Sequence, residues 1–165
     1  MFYGSDDFDT AVLETVDPAE TKGKRVTGAA FRSTVPLNVL DLTAIPKHGG
    51  FFNDWTRTVR EAVKFLRAFT ADISQPVKKD GSQHTEYVPT QVFTEFIRYE
   101  VQTPAGEPFH GIKYPSSQNG KGCYVLFAEQ AECLSTRKAR ARPQLLSFVK
   151  GSLRTVSFRK RQRPK

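Results

Sequence analysis

Apolar residues recur along this chain in two rhythms, one helical and one alternating, and the switches between them mark its elements. The clearest helix is set by Trp55, Val59, Ala62, Val63, Leu66 and Phe69, which form a single apolar stripe. Arg57, Arg60, Glu61, Lys64 and Arg67 lie off that stripe, as solvated positions should. A second helix is predicted from about Pro89 to Arg98, with proline in its first turn and Val92, Phe93, Phe96 and Ile97 as its apolar members. Near the amino end, Phe2-Tyr3-Gly4 reads as the end of a short strand. Asp6 or Asp7 then offers an N-cap for a helix that buries Phe8, Ala11 and Val12. That helix stops near Asp17-Pro18, because proline restrains the residue before it.

The alternating rhythm predicts strands. Lys24 to Thr34 and, after Pro36, Leu37 to Leu42 are rich in β-branched and apolar residues and predict two. Gly111-Ile112-Lys113-Tyr114 and Tyr124-Val125-Leu126-Phe127 flank a turn rich in Ser, Asn and Gly. Leu145 to Val149 and Leu153 to Phe158 add two more strands, and Gln75 to Thr85 is a polar loop. Strands outnumber helices without a steady βαβα alternation. The fold class is therefore α+β, with a mixed, largely antiparallel sheet and flanking helices.

Composition changes this picture in two places. A length of 165 residues suits one domain, and no apolar run approaches a membrane span. The net charge of +8 suggests nucleic acid until its location is examined. Eleven Lys or Arg and no acid lie between Arg137 and Lys165, whereas the other 136 residues hold fourteen basic and seventeen acidic side chains. The basicity belongs to the end of the chain and not to a folded stripe, which argues against dedicated nucleic-acid binding. The chain accordingly divides into a body, 1–136, and a basic C-terminal segment, 137–165, that holds the final strands and a disordered end. Cys123 and Cys133 offer neither a disulfide framework nor metal-ligand spacing, which points to a reducing cytoplasm.

Three stretches hold polar residues that a plain core does not need. They are Tyr3 with Glu14, then Tyr87-Val88-Pro89-Thr90-Gln91, then Gly111-Ile112-Lys113-Tyr114-Pro115-Ser116-Ser117. Singly, each has an ordinary explanation. A glutamate on a helix is normally solvated, serines after proline shape turns, Tyr3 and Tyr114 suit a core, and Gln91 suits a cap.

Together, and in this order, the stretches resemble the RES domain family, named for its Arg, Glu and Ser. The resemblance lies in Phe2-Tyr3-Gly4 with Thr10 to Glu14, in Tyr87-x-Pro89-Thr90-Gln91 with Glu95 to Arg98, and in Gly111-Ile112-x-Tyr114-x-Ser116-Ser117 with Val125-Leu126-Phe127. It implies an ADP-ribosyltransferase-like fold and an enzyme that degrades NAD by hydrolysis or phosphorolysis, often as the toxin of a toxin–antitoxin pair. NAD is then a substrate, with water or inorganic phosphate as acceptor, an antitoxin protein as partner, and neither metal nor separate cofactor. By position, Glu14 matches the family glutamate and Ser116 its serine, with Ser117 the second choice of register. Tyr3 matches the aromatic beside the nicotinamide, while Thr90, Gln91 and Tyr114 match supporting positions near the cleft. The family arginine falls some ten residues before Tyr3, where this chain has only Met1 and Phe2. Met1-Phe2-Tyr3-Gly4 thus reads as the middle of a longer member, and a catalytically impaired NAD- or partner-binding fragment stands as the alternative.

Overall fold

Local chemistry at Asp7 turns the first strand into the first helix. β1 (Phe2–Ser5) is followed by α1 (Phe8–Thr15), and Asp7 Oδ1 accepts the Thr10 amide at 3.0 Å. That bond satisfies one of the amides a helix leaves open at its start. The helix ends at Val16, whose extended backbone carries the chain away. The computed structural model describes residues 1–16, 25–46, 56–74, 88–129, 132–133 and 144–158. The predicted polar loop at 75–85, Trp55 and the chain beyond 158 lie outside the described residues.

Four strands form the main sheet, in the order β1, β6 (Gly122–Leu126), β5 (Gly111–Pro115) and β4 (Val39–Asp41). β5 and β6 are an antiparallel hairpin, and β1 lies antiparallel on the outer side of β6. β4 runs parallel to β5, with Leu40 opposite Ile112. A parallel pair needs a long crossover. Here the crossover carries a 3-10 turn (Leu42–Ala44), α2 (Arg57–Ile73) and α3 (Val88–Tyr99). Leu42, Phe69, Ile97, Ile112 and Phe127 form the buried core between these helices and the sheet, with the Phe93 ring tilted 51° against that of Phe69 at 4.0 Å between ring centres.

The segment predicted as one strand from Lys24 to Thr34 divides in two. β2 (Arg25–Gly28) pairs with β8 (Arg154–Ser157), and β3 (Phe31–Ser33) pairs with β7 (Leu146–Phe148), both antiparallel. The break falls at Ala29-Ala30, where Ala30 O accepts the Val149 amide and Ala30 N donates to Ser152 Oγ, both at 2.9 Å. A strand that changes partner must interrupt its ladder. Phe31 joins this region to the main sheet, its ring 5.0 Å from Phe2 and 5.9 Å from Phe148.

Two further expectations change. Phe8, Ala11 and Val12 are only half-buried, and Thr10 is the completely buried residue of α1. On α2 the stripe is buried at Val63 and Phe69 but exposed at Val59 and Ala62, toward the start of the helix. The α+β class stands: the described residues hold three α-helices, mostly antiparallel pairing and two small two-stranded sheets beside the main one. Among the described residues no helix is long and apolar enough to cross a membrane.

Candidate functional site

The turn from Ser116 to Lys121 joins β5 to β6 and is tied by its own backbone. The Ser116 amide donates to Lys121 O at 2.7 Å, and the Gly120 amide donates to Ser116 O at 2.9 Å. Gly120 sits at φ +71, a left-handed conformation that glycine takes without steric cost. Ser116 is buried, and its Oγ accepts the amides of Gln118 at 3.1 Å and Asn119 at 3.4 Å. The same hydroxyl donates to Glu14 Oε1. Glu14 itself is exposed on the last turn of α1, and among the described residues its Oε2 has no hydrogen-bond partner. The arrangement is a carboxylate held at one oxygen by an oriented hydroxyl and open at the other.

α1 reaches this position because its first turn is fastened to the same hairpin. Asp6 N donates to Gly122 O at 3.0 Å, and Lys121 Nζ lies 3.2 Å from Asp7 Oδ2. The hydrogen bonds from the Thr10 amide and hydroxyl hold the Asp7 carboxyl below its ordinary pKa. Beneath the pair, Cys123 is buried at 2% exposure. Burial pushes its thiol up to about 11, the charge of Glu14 adds to the rise, and a hydrogen bond with Ser116 opposes it.

The remaining predicted residues divide. Tyr114 stands opposite Cys123 across the hairpin and is half-buried, so it shares the sheet face that bears Cys123. Tyr3 stands opposite Val125, one row further along that face, and is 68% exposed. Ser117 Oγ accepts from Gln118 Nε2 at 3.1 Å, so Ser116 is the serine that meets Glu14. Gln91 is exposed on α3, and no described contact joins it to the pair. Thr90 lies within α3 with its side chain outside the described residues, as does all of Tyr87. Asn119, Thr10, Lys121 and Cys123 are neighbours of the site that the sequence reading passed over. Asp7-x-x-Thr10 reads as a helix cap and the turn as polar, but neither pattern by itself points to a site.

The opposite face carries a separate polar group. Tyr124 OH donates to Asp6 Oδ1 at 2.6 Å, and Lys113 Nζ lies 3.8 Å from Asp6 Oδ2 and 5.4 Å from the Tyr124 ring centre. Hydrogen bonding to Tyr124 and the charge of Asp6 raise the Lys113 pKa. An open groove of about 320 Å³ runs between α2 and the end of β5, lined in part by Leu42, Ile45, Ala71 and Pro115. Pro115 directly precedes Ser116, but neither Ser116 nor Glu14 lines the groove.

The fold is an α+β domain in which the end of a helix meets a hairpin turn through Glu14 and Ser116. The model of the RES domain matches residues 1–148, and the chain belongs to that family. The match extends past 136 through β7. No curated protein and no solved structure matches the chain.

Proposed function

We propose that this chain cleaves the nicotinamide–ribose bond of NAD, as a glycohydrolase or a phosphorylase. The observation that carries the reading is the hydrogen bond from Ser116 to Glu14, which joins the two residues that the sequence resemblance aligns with the family glutamate and serine. The nicotinamide of NAD is cationic and leaves as a neutral molecule, taking the electron pair of the glycosidic bond, so no general acid is needed. The ribose becomes oxocarbenium-like and needs negative charge nearby. Glu14, positioned through one oxygen, offers the other to a ribose hydroxyl and to that developing charge. Water then adds at the anomeric carbon and loses a proton, giving ADP-ribose; inorganic phosphate gives the 1″-phosphate instead. Tyr3 presents an exposed ring for stacking on nicotinamide. Thr90, Gln91, Tyr114 and Ser117 are assigned supporting contacts with the dinucleotide.

The same proposal includes an ADP-ribosyltransferase-like ancestry for the fold, action in the cytoplasm, and a role as the toxin of a pair restrained by an antitoxin protein. The test is direct. Purified chain is incubated with NAD, with and without inorganic phosphate, and nicotinamide and the ribosyl products are separated by chromatography. Release of nicotinamide with a single ribosyl product supports the reading and identifies the acceptor. Intact NAD after long incubation at high enzyme concentration overturns it.

A further inference from the structure

The Ser116–Lys121 turn touches α1 at two points, one helical turn apart. Ser116 meets Glu14, and Asn119 Nδ2 donates to Thr10 Oγ1 at 2.9 Å. Positions four apart on a helix lie one above the other, so both contacts are on one face of α1. The Asp6 and Asp7 contacts already hold the start of α1 to the hairpin, and these two set how the turn lies along the helix beyond it. Thr10 is 0% exposed, and its hydroxyl also donates to Asp7 Oδ2 at 2.9 Å. A buried hydroxyl is costly unless it is bonded, and these two bonds account for it. Asn119 meanwhile shapes the turn. Its Oδ1 accepts the Lys121 amide at 3.1 Å, and its own amide donates to Ser116 Oγ at 3.4 Å.

We propose that Asn119 is a positioning residue of this site: by pinning the turn to Thr10, it sets the angle at which Ser116 presents its hydroxyl to Glu14. The inference rests on the functional reading above only for its effect on turnover, since the geometry can be tested in the free protein. Asn119 acts through Ser116 and Glu14 and makes no claim on the substrate.

Two variants of the full chain test it, Asn119→Ala and the near-isosteric Thr10→Val. In a folded variant, the carboxyl-carbon NMR signal of Glu14 should move in the direction it moves in Ser116→Ala. In turnover, kcat for nicotinamide release should fall by about tenfold or more while KM for NAD changes little, as expected of a misplaced group. The double variant should be no slower than either single one, because both remove the same contact. In a Glu14→Gln background, Asn119→Ala should have no further effect on turnover. A Glu14 signal unchanged in either folded variant overturns the proposal, as does full additivity of the two substitutions. If the Glu14 signal moves but even the unmodified chain leaves NAD intact, the positioning stands and the NAD reading is what fails.

Discussion

Ser116 and Glu14 stand 102 residues apart in the chain and share a hydrogen bond at the end of β5. Glu14→Gln keeps an oxygen to accept from Ser116 and removes only the negative charge. Turnover of NAD should fall by about 10²–10³, the scale for losing one electrostatic contact to a transition state. The exposed carboxylate makes one side-chain hydrogen bond, so the unfolding free energy should change by no more than ~1 kcal/mol. Nicotinamide release and urea unfolding check the two halves separately. Turnover within a few-fold of the parent would remove Glu14 from the proposed role.

Ser116→Ala acts differently, because the serine is a structural acceptor as well as a donor. Without its Oγ, the Gln118 and Asn119 amides lose their side-chain partner in a turn whose one buried residue is Ser116 itself. Stability should fall by about 0.5–1.5 kcal/mol for each hydrogen bond lost, and so by more than in Glu14→Gln, which keeps its bond. Activity should fall as well, so the pair of variants separates charge from architecture. Chemical denaturation of both variants under one set of conditions is the measurement. Equal stability losses in Glu14→Gln and Ser116→Ala would contradict the assignment.

Sequence reasoning reached the helices and most strands because their signals are local. The cap at Asp7, the stripe from Val59 to Phe69 and the alternation through Ile112 and Tyr114 each lie within one segment. Partner choice does not. Thr27 and Thr155 share a 2.9 Å hydrogen bond across 128 residues, and nothing in residues 24–34 alone reveals that one half pairs with β8 and the other with β7. The site divides in the same way. Glu14 and Ser116 were legible only through resemblance to a family, since each alone suits a solvated helix or a turn. Asn119 and Thr10 carried no separable signal, because a buried threonine and a turn asparagine are ordinary until the helix and the turn are brought together.

Two glycines of the hairpin should respond unequally to an added methyl group. At Gly111, a Cβ falls 2.5 Å from Val125 O and 3.1 Å from Leu126 Cα, both fixed by the central strands. At Gly122 it meets Asp6 Oδ2 at 2.3 Å and Lys113 Cε at 2.7 Å, which are side-chain atoms able to move. Gly111→Ala should therefore cost on the order of 1–3 kcal/mol or more by overpacking. Gly122→Ala should cost less, and its price should appear as a weakened Asp6–Lys113 contact. Urea midpoints for the two variants decide it, and a Gly122→Ala midpoint lower than that of Gly111→Ala would reverse the ordering.

Cys123 links the site to alkaline stability. Its thiol is pushed from 9.0 to about 11 in the folded chain, chiefly by burial and next by the charge of Glu14. The unfolded chain loses this proton near the ordinary thiol value, while the folded chain keeps it. Between about pH 9 and 11 the unfolded state thus binds fewer protons, and stability must fall as pH rises through that window. One unit of displacement is worth about 1.4 kcal/mol. Cys123→Ala removes the titration, so its unfolding free energy should decline less steeply over the same window than that of the parent. Alkylation gives an independent check: at pH 8 the half-exposed Cys133 should be modified first, and buried Cys123 only on unfolding. Native-state labelling of Cys123 as fast as in urea, or identical alkaline slopes for parent and Cys123→Ala, would show that the thiol is not sequestered beneath Ser116 and Glu14.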